Sequence, residues 1–386
     1  MASFVYGLAR ANRLASSSGP RRSTVWRNIS PWHENFDGMK ILLLGGSNAG
    51  MREGWAFQFQ RQASAHEVEN RFLGAVGSLY GLLALLKMER DATASPDVVI
   101  FEYCLNDILL FAAGCLRPKL VADTLEAIAA CCARRRIRLM FLCLDPRPTA
   151  SKALRSATRR AHRLYADAAT RYATPAIWLD EIFSGSPTAA HYQDENHLTV
   201  DASTAVAAAV LSRIGDARVP LAPNAEIRFD YIDATKAQRR GACELHHIES
   251  KVFEGAFIRL NRQSECYWPG NGRLVALMLR SDDRSGEYLI RAPRCVYRKN
   301  PRSKMQEIVA NLMLLHYVTR AIATDRGVAI AMPDDEAALR RAPEDATLLA
   351  VPPTADFSDQ TLDIHAAIFW RPRSIARKIA ALLRRR

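Results

Sequence analysis

No apolar run in this 386-residue chain reaches the roughly 20 residues that cross a bilayer, although 49% of its residues are hydrophobic. The expectation is a soluble protein. Its N-terminus lacks a continuous apolar stretch followed by a small-residue cleavage site, so it does not read as a secretory signal. The eight cysteines form no CxxC pair and keep no regular spacing. Several of them (Cys131, Cys132, Cys143) fall in segments that read as helix or core strand, so buried free thiols in a reducing cytoplasm are expected. There is no internal repeat and no long low-complexity segment.

A nucleic-acid partner is not expected either, despite a net charge of +13. Seven of those charges belong to the last sixteen residues, which carry no acid, and three more to residues 1–38. Only +3 remains for the body, and no RNA- or DNA-binding motif accompanies it.

What is present is alternation. From Met39 onward, short apolar runs (Lys40–Leu44, Val98–Tyr103, Leu139–Leu144, Ala176–Leu179) alternate with segments of helical period (Trp55–Ala63, Leu79–Arg90, Leu120–Arg135, Ala153–Tyr172, Ala202–Ile214). Near-continuous apolar strands imply a sheet covered on both faces, hence a three-layer α/β/α domain over residues 39–216. Residues 1–38 read as a poorly ordered extension. Beyond Pro220 the pattern shortens (Ile227–Ile232, Gly255–Leu260, Val275–Leu279, Glu287–Ile290), with a turn signal at Pro269-Gly270-Asn271-Gly272. A β-rich unit over 222–300 is expected. A helix at about Lys304–Ala323 opens a mixed α/β region to residue 370, and 371–386 forms a basic tail.

Four segments carry candidate chemistry. Strand Ile41–Leu44 breaks at Gly45-Gly46-Ser47-Asn48-Ala49-Gly50, which places Ser47 at the carboxyl edge of the sheet, where ligands of open α/β folds bind. On its own this could be a plain connection, or a degenerate phosphate loop spanning Gly45 and Gly50. The others are Val68–Ser78, with Gly74 and Gly77; Ile100–Asp107, where a buried strand delivers Asn106 and Asp107; and His191–Thr199. In the last, Asp194 stands three residues before His197, so its carboxylate can accept from Nδ1–H while Nε2 faces a nucleophile. Two clusters outside these have weaker claims. Cys243, Glu244, His246 and His247 suggest a metal, but adjacent histidines on a strand point to opposite faces, and no cofactor or metal is expected. Cys266-Tyr267-Trp268-Pro269 offers aromatics that could stack on a sugar.

In order and spacing the four segments resemble the SGNH/GDSL hydrolase superfamily. Gly45-Gly46-Ser47-Asn48 is similar to its first block, Asn70–Gly74 to its second, Leu105-Asn106-Asp107 to its third and Asp194-x-x-His197 to its fifth. The resemblance implies a flavodoxin-like fold and acyl chemistry. Ser47 would be the nucleophile, His197 the base and Asp194 its orienting acid, with an oxyanion hole from the backbone N–H of Ser47 and Gly74 and the amide of Asn106. Two positions depart from the pattern: Gly46 replaces the usual aspartate and Cys104 the usual glycine. Gly77 is an alternative to Gly74, and His191 to His197.

The expected function is a cytoplasmic esterase that modifies carbohydrate, the carbohydrate part by analogy, because the Asn-x-x-Leu-Gly second block and the β-rich appendage look like SGNH proteins of polysaccharide clusters. It would deacetylate a sugar or a surface-polysaccharide intermediate. The alternatives are an O-acyltransferase using the same residues and a non-catalytic sugar-binding protein. In the tail, Ile375, Ile379, Leu382 and Leu383 share one helical face, so 371–386 is expected to contact an anionic membrane peripherally, at its inner face.

Overall fold

The computed structural model describes residues 38–222, 225–250, 253–307 and 312–372, all within one compact unit. Its first half is a five-stranded parallel sheet made of β1 (Lys40–Gly45), β2 (Glu67–Phe72), β3 (Val98–Glu102), β4 (Arg138–Cys143) and β5 (Ala176–Trp178), in the order β2-β1-β3-β4-β5. The helices are α1 (Ser47–Gly50), α2 (Trp55–Gln62), α3 (Ser78–Arg90), α4 (Cys104–Ala112), α5 (Pro118–Arg134), α6 (Lys152–Tyr172), α7 (Leu179–Ile182) and α8 (Val200–Arg213). Helices α2 and α8 pack together, as do α3, α5 and α6. Strand residues Leu42, Leu44, Val99, Phe101 and Phe141 are buried with the second group. This is the three-layer flavodoxin-like arrangement expected, and the strand order reverses between β1 and β3. Ligands of open parallel sheets bind at such a switch point.

Strand β2 was not among the expected strands. Its sequence, Glu-Val-Glu-Asn-Arg-Phe, lies at the sheet edge with no fully buried residue. An edge strand needs no apolar run, and so left no periodic signal. Likewise, Asn106 and Asp107 sit in the first turn of α4, not at the end of a strand as expected.

The second half is a β-sandwich. Its strands are β6 (Phe229–Asp233), β7 (Gln238–Arg240), β8 (Cys243–Glu249), β9 (Glu254–Leu260), β10 (Ser264–Pro269), β11 (Gly272–Ser281), β12 (Tyr288–Ala292), β13 (Cys295–Lys299), β14 (Leu312–Thr324), β15 (Gly327–Met332) and β16 (Leu362–Trp370). One sheet runs β14-β11-β16-β9-β8, with β6 beside β16, and the other β13-β12-β15-β10-β7. The expected turn at Pro269–Gly272 is present, but it links the two sheets instead of closing a hairpin.

The expected helix over Lys304–Ala323 is a correction: a short 3-10 turn, Lys304–Glu307, precedes the long strand β14. In β14, Leu312 and Leu314 enter the core between the sheets, while Met313 and Leu315 face the α/β core. A strand covered on both faces reads as one apolar run, which periodicity cannot separate from a buried helix. Strands on both sides of residue 300 share both sheets, so the separate mixed region expected over 301–370, which also holds α9 (Glu336–Arg341), is part of the sandwich. Met278, Ile368 and Trp370 carry the α/β core into the sandwich. There Asp123 of α5 accepts from Trp370 Nε1 at 3.0 Å and pairs with Arg228 at 3.0 Å. The basic face proposed for 371–386 falls almost wholly on residues 373–386, outside the described residues.

Candidate active site

The sheet edge at the switch point places Ser47 as the first residue of the turn α1, directly after β1. His197 Nε2 lies 2.8 Å from Ser47 Oγ, and His197 Nδ1 lies 2.7 Å from Asp194 Oδ2. The other carboxylate oxygen of Asp194 accepts the backbone N–H groups of Asn196 and His197, each at 2.8 Å. Partial burial pushes the Asp194 carboxyl up, but these N–H groups and the imidazole outweigh it and hold the pKa below the usual value. Asp194 is thus an anion fixed on the imidazole.

Asn48, absent from the set of site residues read from the sequence, holds the loop in place. It is buried, its Nδ2 donates to Asn196 O at 2.9 Å, and its Oδ1 accepts from Leu198 N–H at 3.1 Å. One side chain thus staples the two residues flanking His197 to the residue after Ser47. Asn48→Ala leaves a buried N–H and C=O without partners, each costing about 1–3 kcal/mol, and frees the imidazole to drift. Steady-state kinetics on p-nitrophenyl acetate should show kcat down about tenfold or more with KM nearly unchanged, since a misplacement of about 1 Å can cost 10²-fold. An unchanged kcat would mean that the loop is held by its other contacts.

The remaining polar groups converge on Ser47. A Cβ built on Gly74 would lie 3.3 Å from Ser47 Cβ, which puts this glycine beside the serine. Gly77 faces elsewhere: a Cβ there would meet Asp107 Oδ1 at 2.4 Å. Between them Ala75 takes a left-handed φ of 57° and turns the loop. Asn106 crosses over Gly46, where a Cβ would meet its Oδ1 at 2.1 Å. The absence of a side chain at Gly46 thus leaves the space that Asn106 occupies here. Cys104, the other departure, is buried in the α/β core near Cys143 and takes no part in lining the edge.

Two buried carboxyls support this edge. Glu102, at the end of β3, is fully buried and accepts Gly46 N–H at 3.1 Å, and burial pushes its pKa up to about 8. At neutral pH it is mostly uncharged, so it places no full negative charge under the Ser47 turn. Asp107 accepts Ser78 N–H at 2.9 Å and Tyr165 Oη–H at 3.0 Å, and burial pushes it up to about 7.

The folded pKa of Asp107 exceeds its ordinary value of 3.8, so its contribution to stability is full below that value and is lost as pH rises through about 7. Asp107→Asn keeps an acceptor for Ser78 N–H and turns an N–H donor toward Tyr165 Oη, as the protonated acid does with its O–H, without a proton to lose. The variant's Tm relative to wild type should therefore be higher at pH 8 than at pH 5, by about 2–4 °C for each kcal/mol gained. Calorimetry showing the variant relatively less stable at pH 8 would mean that Asp107 is charged in the fold.

Other candidates from the sequence lie apart. His191 Nδ1 accepts Thr188 N–H at 2.9 Å, and its ring stacks on Phe183. His246 turns to Asp363 and His247 to Glu254, both at 3.2 Å, while Cys243 Sγ bonds Arg240 O. Trp268 is fully buried in the sandwich core, so it offers no face to a sugar.

No family model matches the chain, and no curated protein matches it. Solved structures do. A two-domain esterase active on acetylated mannans is similar over 87% of this chain and 92% of its own, with 12% identity and a TM-score of 0.59. The same esterase co-crystallised with mannopentaose matches over equal shares at 12% identity and a TM-score of 0.53. A putative SGNH hydrolase from Slackia heliotrinireducens covers 46% of this chain and 100% of its own, at 16% identity and a TM-score of 0.38. At these identities the likeness to the two-domain esterase is one of fold, and it spans both halves of the chain.

Proposed function

For this chain with the fold of SGNH/GDSL hydrolases, we propose the function of a serine esterase that removes acetyl groups from a carbohydrate through an acyl-enzyme. The observation that carries the reading is the line Ser47–His197–Asp194, with contacts of 2.8 and 2.7 Å. Ser47 Oγ attacks the ester carbonyl while His197 Nε2 takes its proton, and Asp194 stabilises the imidazolium. The oxyanion forms among the backbone N–H of Ser47 and Gly74 and the amide of Asn106. His197 then protonates the departing sugar oxygen, which leaves as a hydroxyl, and water repeats the sequence to release acetate.

The carbohydrate part is supported by the fold shared with an esterase active on acetylated mannans. A sugar-binding protein without catalysis would be favoured by a Ser47–His197 gap too long for a hydrogen bond, and the gap is 2.8 Å. Intact-protein mass spectrometry tests the reading. A fluorophosphonate probe should add one mass equivalent to Ser47, and acetate should be released from acetylated mannan. Absence of both would sink it. Sugar-dependent consumption of acetyl-CoA without acetate release would instead establish an acyltransferase.

A further inference from the structure

We propose that the cleft beside the Asp194–His197 loop, between the segment after β4 and the first turns of α6, is a subsite for an anionic saccharide. It rests on the esterase reading above and names the substrate class: a carbohydrate bearing carboxylate or phosphate groups.

The cleft has a volume of about 330 Å3, and Arg147, Arg155 and Arg159 line it with Pro146 and Pro187. Its place is fixed by two bonds. Arg147 N–H donates to the carbonyl of Glu195 at 2.9 Å, and Tyr192 Oη–H donates to the carbonyl of Asp145 at 3.1 Å. Glu195 follows Asp194 directly, so the cleft opens next to the acid and base, at the carboxyl edge of the sheet. A saccharide whose acetyl ester is presented to Ser47 can extend its neighbouring residues into it.

The charges there are poorly neutralised. Arg155 donates to the carbonyls of Thr149 and Ala150, which holds its guanidinium at the wall. Arg147 and Arg159 make no ion pair among the described residues. Asp145, the acid among the described lining residues, bonds His162 Nε2 at 2.5 Å, so three guanidinium groups share the cleft with one carboxylate. The cleft therefore keeps a surplus of positive charge that an entering anion can offset. All three are arginines, whose planar fork fits carboxylate and phosphate bidentately. A solvated basic face would need neither the concavity nor its place against the Asp194–His197 loop.

The test compares kcat/KM on acetylated polygalacturonate, acetylated mannan and p-nitrophenyl acetate for wild type and the double variant Arg147→Gln/Arg159→Gln. The ratio of the polygalacturonate to the p-nitrophenyl value should fall about tenfold in the double variant, as expected for two partly exposed charge contacts. For wild type it should also fall as salt rises from low to 0.5 M. Competition by glucuronate against mannose 6-phosphate separates the carboxylate from the phosphate source. Equal ratios in the two proteins, or a salt-independent preference for neutral mannan, would overturn the subsite and leave the esterase standing. If wild type turns over no ester at all, the esterase reading fails instead. Calorimetric titration with glucuronate and mannose 6-phosphate then still decides whether the cleft binds anions, and no heat with either would overturn it.

Discussion

Ser47→Ala is expected to abolish turnover of a small acetyl ester, and His197→Ala to fall nearly as far. Among the described residues no other hydroxyl stands at a strand-to-helix turn within 2.8 Å of an imidazole that a carboxylate orients. The two residues act as one unit, because without the base the hydroxyl is not activated, and without the hydroxyl the base has no proton to take. The double variant should therefore be about as slow as either single one, with each loss on the order of 10⁴–10⁶ in kcat. Rates on p-nitrophenyl acetate, with probe labelling as a second readout, check this. Additive losses, or a Ser47→Ala enzyme that keeps most of its activity, would remove Ser47 and His197 from the roles proposed. Substitution at His191 should have little effect, since that ring caps a 3-10 turn against Phe183.

How far the sequence alone leads to this site depends on distance along the chain. Asp194 and His197 are three residues apart on one loop, so their pairing follows from local geometry. Ser47 and His197 are 150 residues apart, and only the order of the blocks, matched to a known superfamily, brings them together in a sequence reading. The apolar strands β1, β3 and β4 announce a doubly covered sheet. The polar edge strand β2 does not, and β14 is apolar on both faces, so it imitates a helix. The supports of the site were least legible. Asn48, Glu102 and Asp107 act through partners distant in sequence, and their types, taken singly, suit many loops and caps. Gly46 is instructive for the same reason. In sequence it is a missing aspartate, while in the fold it is the space Asn106 occupies.

Asn106→Ala should lower kcat on an acetyl ester by about 10²–10³, the usual effect of deleting one oxyanion donor, while fluorophosphonate labelling of Ser47 stays detectable. The expectation rests on where α4 holds the side chain. Asn106 is nearly fully buried in the first turn of that helix, and its amide is pressed against Gly46, next to the nucleophile. Its amide makes no hydrogen bond among the described residues, so it is free to donate when charge develops on the carbonyl oxygen. A donor used mainly in the transition state changes kcat and kcat/KM together and leaves KM almost untouched. Gly46→Ala probes the same donor from the other side: its new Cβ must displace the amide, and the rate should fall in the same direction with Asn106 still present. If Asn106→Ala instead raises KM at constant kcat, the residue binds the ground-state ester and the oxyanion is left to the backbone N–H groups of Ser47 and Gly74.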